Sequence, residues 1–155
     1  MQVNAYFRLH VASDISAPLP MPRAFWFAVA AYLVPTFPLG YFWHLKTFKS
    51  AYDRLELYRD TVVIPLGLTS MLIQALAFAW LYPRLFSTAP DRWLRDGLTF
   101  GALAGVVAWS FTTLPVAAKY RMASVGGFIQ LETAFTIAQF AITGPLIALA
   151  WRGQG

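Results

Sequence analysis

Residues Gly97 to Ala118 read GLTFGALAGVVAWSFTTLPVAA, a run without a single charged side chain. Coiled as a helix at 1.5 Å per residue it is about 33 Å long, enough to cross the roughly 30 Å hydrocarbon core of a bilayer. No two-residue alternation runs through it. Backbone amides in lipid must find partners within their own segment, so the run predicts a transmembrane helix. Three further stretches read the same way: Ala24 to Leu45, Thr61 to Tyr82 and Phe128 to Trp151. Each is apolar around its whole circumference, unlike the one-sided helices of a soluble bundle. The predicted fold is all-α, an integral-membrane four-helix bundle over residues 24–155, preceded by an arm over residues 1–23.

The composition agrees. Of 155 residues, 58% are hydrophobic and 12% charged, about half the charge of a typical soluble domain. That balance argues against a soluble enzyme, and the absence of cysteine excludes disulfides, thiolate nucleophiles and thiolate metal sites. The first apolar stretch is too long for a signal-peptide core and runs into His44, Lys46 and Lys49 without a small-x-small cleavage site. It is expected to be retained as the first span.

Short connections set the order of the spans as up-down-up-down. Leu45, Phe48, Tyr52 and Leu55 recur at helical spacing between charged positions, which predicts an interfacial amphipathic helix continuous with the first span. Pro83 to Asp96 reads as a turn with Trp93 as an interfacial anchor, and Lys119 to Gly127 as a short basic loop. Basic residues do not orient the bundle. Arg8, Arg23, Arg84, Arg92, Arg95 and Arg152 fall on one side, and Lys46, Lys49, Arg54, Arg59, Lys119 and Arg121 on the other. The even number of spans puts both termini on one side, read here as cytoplasmic. The net charge of +5 suits anionic lipid headgroups, with no stripe that would bind nucleic acid.

Within the arm, Met1, Val3, Ala5, Phe7, Leu9 and Val11 alternate with polar or amphipathic residues, a strand pattern without a partner in the chain. Prolines at 18, 20 and 22 then make an extended tether. Such an arm suits strand addition to a partner protein.

Prolines interrupt every span: Pro35 and Pro38, Pro65, Pro115 and Pro145. Each is a kink that shapes a pocket or a hinge. Gly97, Gly101 and Gly105, spaced by four, form a smooth face for close helix packing, either within the chain or in a homo-oligomer. Polar residues within spans are few, notably Gln74 and Gln139, and Glu132 is the only acid inside a predicted core.

At the shared end of the spans, His44, Glu56, Arg59, Lys119 and Glu132 are expected at similar depth. They make either a Lys119–Glu132 ion pair fastening two helices or a polar pocket for a headgroup, proton or ligand. No H-E-x-x-H, P-loop, dinucleotide fingerprint or nucleophile elbow occurs, so neither a metal site nor a catalytic residue is assigned. The cofactor stays unknown, with haem or a chlorin on a single histidine as one option. A weak match of Trp43-x3-Thr47 to Trp109-x3-Thr113, with Gln74 against Gln139, is the signature a tandem repeat of hairpins would leave.

The run Trp43-His44-Leu45, Tyr52, Leu57-Tyr58-Arg59, Ile64-Pro65-Leu66-Gly67, Ser70-Met71-Leu72-Ile73-Gln74 and Tyr82-Pro83-Arg84 continues in Ala118-Lys119-Tyr120 and Phe128 with Glu132. Over about residues 40–150 it resembles a family of small bacterial four-span membrane proteins with no known activity. The resemblance implies a multi-pass inner-membrane protein and supplies no reaction. The leading function class is a non-catalytic accessory or assembly subunit, or a hydrophobic-ligand binder. Two other classes stay open: an oligomeric small transporter or channel using Glu132, Gln74 and Gln139, and an intramembrane enzyme on a lipid or quinone using Glu132.

Overall fold

The computed structural model describes residues 22–59 and 61–154. The strand-like pattern over residues 1–11 and the tether up to residue 21 lie outside the described residues. Among those described there are five α-helices and no strand. They are α1 (Arg23–Phe42), α2 (Lys49–Leu55), α3 (Ile64–Leu85), α4 (Trp93–Lys119) and α5 (Val125–Trp151), with a π-helical turn over Trp43–Thr47 after α1. Four segments are long and apolar enough to cross a membrane: Arg23–Thr47, α3, α4 and α5.

The helix ends differ from expectation for local reasons. The third span starts at Trp93 rather than Gly97, because Arg92 and Asp96 form an i,i+4 pair at 3.3 Å and the Asp96 carboxylate favours a helix N-terminus. Asp96 is therefore a second acid in a span, only 4% exposed, where Glu132 was expected to stand alone. The fourth span starts at Val125 because the Ser124 hydroxyl accepts a hydrogen bond from the Gly127 amide at 3.1 Å, an N-cap. α3 starts at Ile64, with Pro65 in its first turn where no amide donor is needed. α1 runs unbroken through Pro35 and Pro38.

The amphipathic helix is present but not continuous with α1. The π-helical turn and Phe48, at φ −105° and ψ 14°, separate the two. Glu56 then ends α2 in the left-handed conformation, φ 54°. α2 turns Tyr52 and Leu55 inward against Phe128 of α5, and the Ala123 amide donates to the Leu55 carbonyl, so this helix caps one end of the bundle.

The spans alternate in direction, but chain neighbours are not always spatial neighbours. α5 is central, packed along α4 on one side and α1 on the other, and α3 lies against α1. α3 and α4, although consecutive, make no extended contact. They meet at one end only, where Phe78, Tyr82 and Phe86 set their rings edge-on to Phe100 at 5.3–5.8 Å. At the other end they diverge and leave a cleft.

The α4–α5 seam is the tightest. A side-chain carbon at Gly97 would overlap Pro145 and Ala148, at Gly101 it would meet the Phe140 carbonyl, and at Gly105 the Phe140 side chain at 3.3 Å. Gly144 answers from α5, where a carbon would collide with Gly97 and Gly101. Backbones this close exchange dispersion contacts that the hydrophobic effect does not supply in lipid. The glycine face thus packs within the chain.

Candidate functional site

The cleft has a volume of about 710 Å³. α1 and α5 form its floor, α3 one wall, and Ala108 and Thr112 of α4 the far edge. The connection after α2 covers its outer end with Leu57, Tyr58, Arg59, Val62 and Val63. Size and an apolar lining with a few polar groups are typical of small-molecule sites.

Two polar stations stand in it. The outer one is built around Glu132, two turns into α5 at its eighth residue. The fully buried Tyr52 donates from its hydroxyl to Glu132 Oε1 at 2.7 Å. His44 Nδ1 lies 3.9 Å from the same oxygen and 2.9 Å from the Tyr58 hydroxyl. Rings enclose the group: Tyr52 stacks on Tyr58 at 4.9 Å, and His44 lies 4.8 Å from Tyr52 and 4.5 Å from Phe135. Burial first, and then the Glu132 carboxylate, hold the Tyr52 and Tyr58 hydroxyls above the usual tyrosine range. Both phenols remain neutral.

The inner station lies roughly 10 Å deeper along α5, seven residues on at Gln139. Gln139 Nε2 donates to the Tyr32 hydroxyl at 2.7 Å, Tyr32 donates to Gln74 Oε1 at 2.5 Å, and Gln74 Nε2 donates to Ser70 at 3.1 Å. Three helices are tied by one phenol. Beyond it the space closes, since Tyr32 and Phe140 pack around Phe78, which meets Phe100 at 5.8 Å.

Of the residues singled out in the sequence, His44 and Glu132 come together, Arg59 lines the same cleft, and Gln74 and Gln139 share Tyr32. Glu56 is exposed at the end of α2, and Lys119 is exposed at the end of α4. The expected Lys119–Glu132 ion pair is not among the ion pairs of the described residues. Tyr52 holds the place assigned to the lysine, and Tyr58 pairs with His44 beside it. The sequence places Tyr52 on the apolar face of the interfacial helix with Leu55, but a tyrosine there reads as a lipid anchor, so its pairing with Glu132 was not legible. Tyr32 gave no signal among so many aromatics.

Among the described residues no three histidine, aspartate or glutamate side chains gather around a metal position. No protein-family model, no curated protein and no solved structure matches the chain. The findings therefore support a four-span membrane architecture and leave the family likeness at that level.

Proposed function

We propose that the chain is a non-catalytic integral membrane protein that holds an amphipathic ligand taken from the bilayer in the cleft between α3 and α4. The observation that carries this reading is the cleft itself, with apolar walls between two diverging spans and a hydrogen-bonding corner at the membrane face. An apolar tail fits the walls and a polar head fits the corner. The aromatic layer of Phe78, Phe100 and Phe140 below the Tyr32 station weighs against a conduit, since it closes the inner end. His44 and Glu132, with the Tyr58 and Tyr52 hydroxyls beside them, offer hydrogen-bonding partners to a polar head.

Native mass spectrometry of the protein extracted in a neutral detergent tests the reading. Gly67 lines the cleft and a carbon added there meets nothing within 4 Å, so Gly67→Trp fills the space without a clash at its root. The protein should carry an amphiphile that Gly67→Trp removes. A protein that binds none, or an adduct indifferent to Gly67→Trp, overturns the reading.

A further inference from the structure

Resting on that reading, we infer that the head held at the outer station is zwitterionic, with an ammonium group at Glu132 and a phosphate toward Arg59, as in an ethanolamine or choline phospholipid. Glu132 Oε1 is engaged by Tyr52, whereas Oε2 has no hydrogen-bond partner among the described residues. No lysine or arginine of the described residues lies within ion-pair distance of this carboxylate. An acid at this depth in a span is costly without a counter-charge.

The surroundings fit one kind of cation. His44, Tyr58 and Phe135 line the cleft beside Glu132, with Tyr52 behind them. Aromatic faces carry negative potential, and rings around a carboxylate recognise an ammonium group, including a quaternary one that cannot donate hydrogen bonds. Arg59 adds a cation at the rim of the same cleft. A purely anionic head would satisfy Arg59 but face Glu132; a purely cationic head would do the reverse. A head with both charges satisfies both, and its acyl chains follow the apolar wall of Leu66, Met71 and Phe140.

The test uses the full chain in maltoside micelles, supplied separately with dioleoyl phosphatidylethanolamine, dioleoyl phosphatidylglycerol and dodecyltrimethylammonium, with adducts counted by native mass spectrometry. The ethanolamine lipid should be retained about tenfold over the glycerol lipid, the scale of one desolvated ammonium–aromatic contact. Glu132→Gln keeps the acceptor for Tyr52 and should erase that preference. Arg59→Gln should shift preference from the ethanolamine lipid toward dodecyltrimethylammonium. If Glu132→Gln does not fold, Phe135→Leu removes one wall of the cage and should lower the preference instead.

Equal retention of the two phospholipids, or a preference that survives Glu132→Gln or Phe135→Leu, overturns the ammonium assignment. Retention of dodecyltrimethylammonium equal to the ethanolamine lipid and unmoved by Arg59→Gln overturns the phosphate assignment. In these cases adducts still lost in Gly67→Trp leave the ligand-binding reading intact; with no adduct of any kind, that reading fails as well.

Discussion

The hydroxyl of Tyr52, on the short helix that caps the bundle, donates a 2.7 Å hydrogen bond to Glu132, two turns inside α5. This bond joins the interfacial helix to the membrane core, with Tyr52 completely buried. Tyr52→Phe keeps the ring and its stacking on Tyr58 while removing the donor. The loss should be roughly 1.5–3 kcal/mol, the range for a hydrogen bond to a charged group. Lys119→Met should change stability by less than about 0.5 kcal/mol, as exposed substitutions do. Thermal unfolding in detergent decides it, and a Lys119 variant as damaged as Tyr52→Phe would restore the lysine as the partner.

The α4–α5 seam has no room for a methyl group at Gly101, where the Phe140 carbonyl stands in the way. Gly101→Ala should cost roughly 1–3 kcal/mol by overpacking, and Gly101→Leu should cost more. Gly67→Ala, in open space, serves as the control and should be neutral or slightly stabilising. Equal melting temperatures for Gly101→Ala and wild type would mean that the helices are less closely packed than this.

Tyr32 both donates to Gln74 and accepts from Gln139, so Tyr32→Phe strands two amides at once. Hydrogen bonds between membrane helices are typically worth about 0.6–2 kcal/mol each, so the loss should be one or two such increments. Replacing both amides together, Gln74→Leu with Gln139→Leu, in the Tyr32→Phe background should recover part of it. A triple variant no more stable than Tyr32→Phe would show that the amides find other partners.

Alkaline pH gives a signed prediction outside the spans. Tyr52 and Tyr58 have hydroxyls raised above their ordinary value of 10.0 in the folded chain. The unfolded chain releases these protons first, so the stability tied to the neutral phenols is complete below pH of about 10 and falls as pH rises above it. Denaturation by sodium dodecyl sulfate between pH 9 and 11 should show a steeper loss for wild type than for the Tyr52→Phe, Tyr58→Phe double variant. Parallel slopes would place both phenols in water.

Four spans alternating in direction put the start of α1 and the end of α5 at one membrane face. Reporters joined before Arg23 and after Trp151 should give the same sidedness in a topology assay. Opposite sidedness would remove a span.

By itself, the sequence determined four helices long and apolar enough to cross a membrane, because length, uncharged runs and the need to satisfy every backbone amide are properties of each segment alone. Gly97, Gly101 and Gly105 announced a close face for the same reason, since spacing of four is geometry within one helix. The tertiary structure decided which face met which. It set α5 between α4 and α1, parted α3 from α4, and gave Glu132 to Tyr52 and His44 instead of Lys119. Spans in lipid are apolar all round, so apart from the glycine face of α4 no stripe in the sequence marks the inward side, and depth alone does not choose between a lysine and a tyrosine as partner. The cap at Ser124 and the early start at Trp93 were local and legible in principle. The cleft was not, because it exists only where two helices that follow one another in the chain fail to pack.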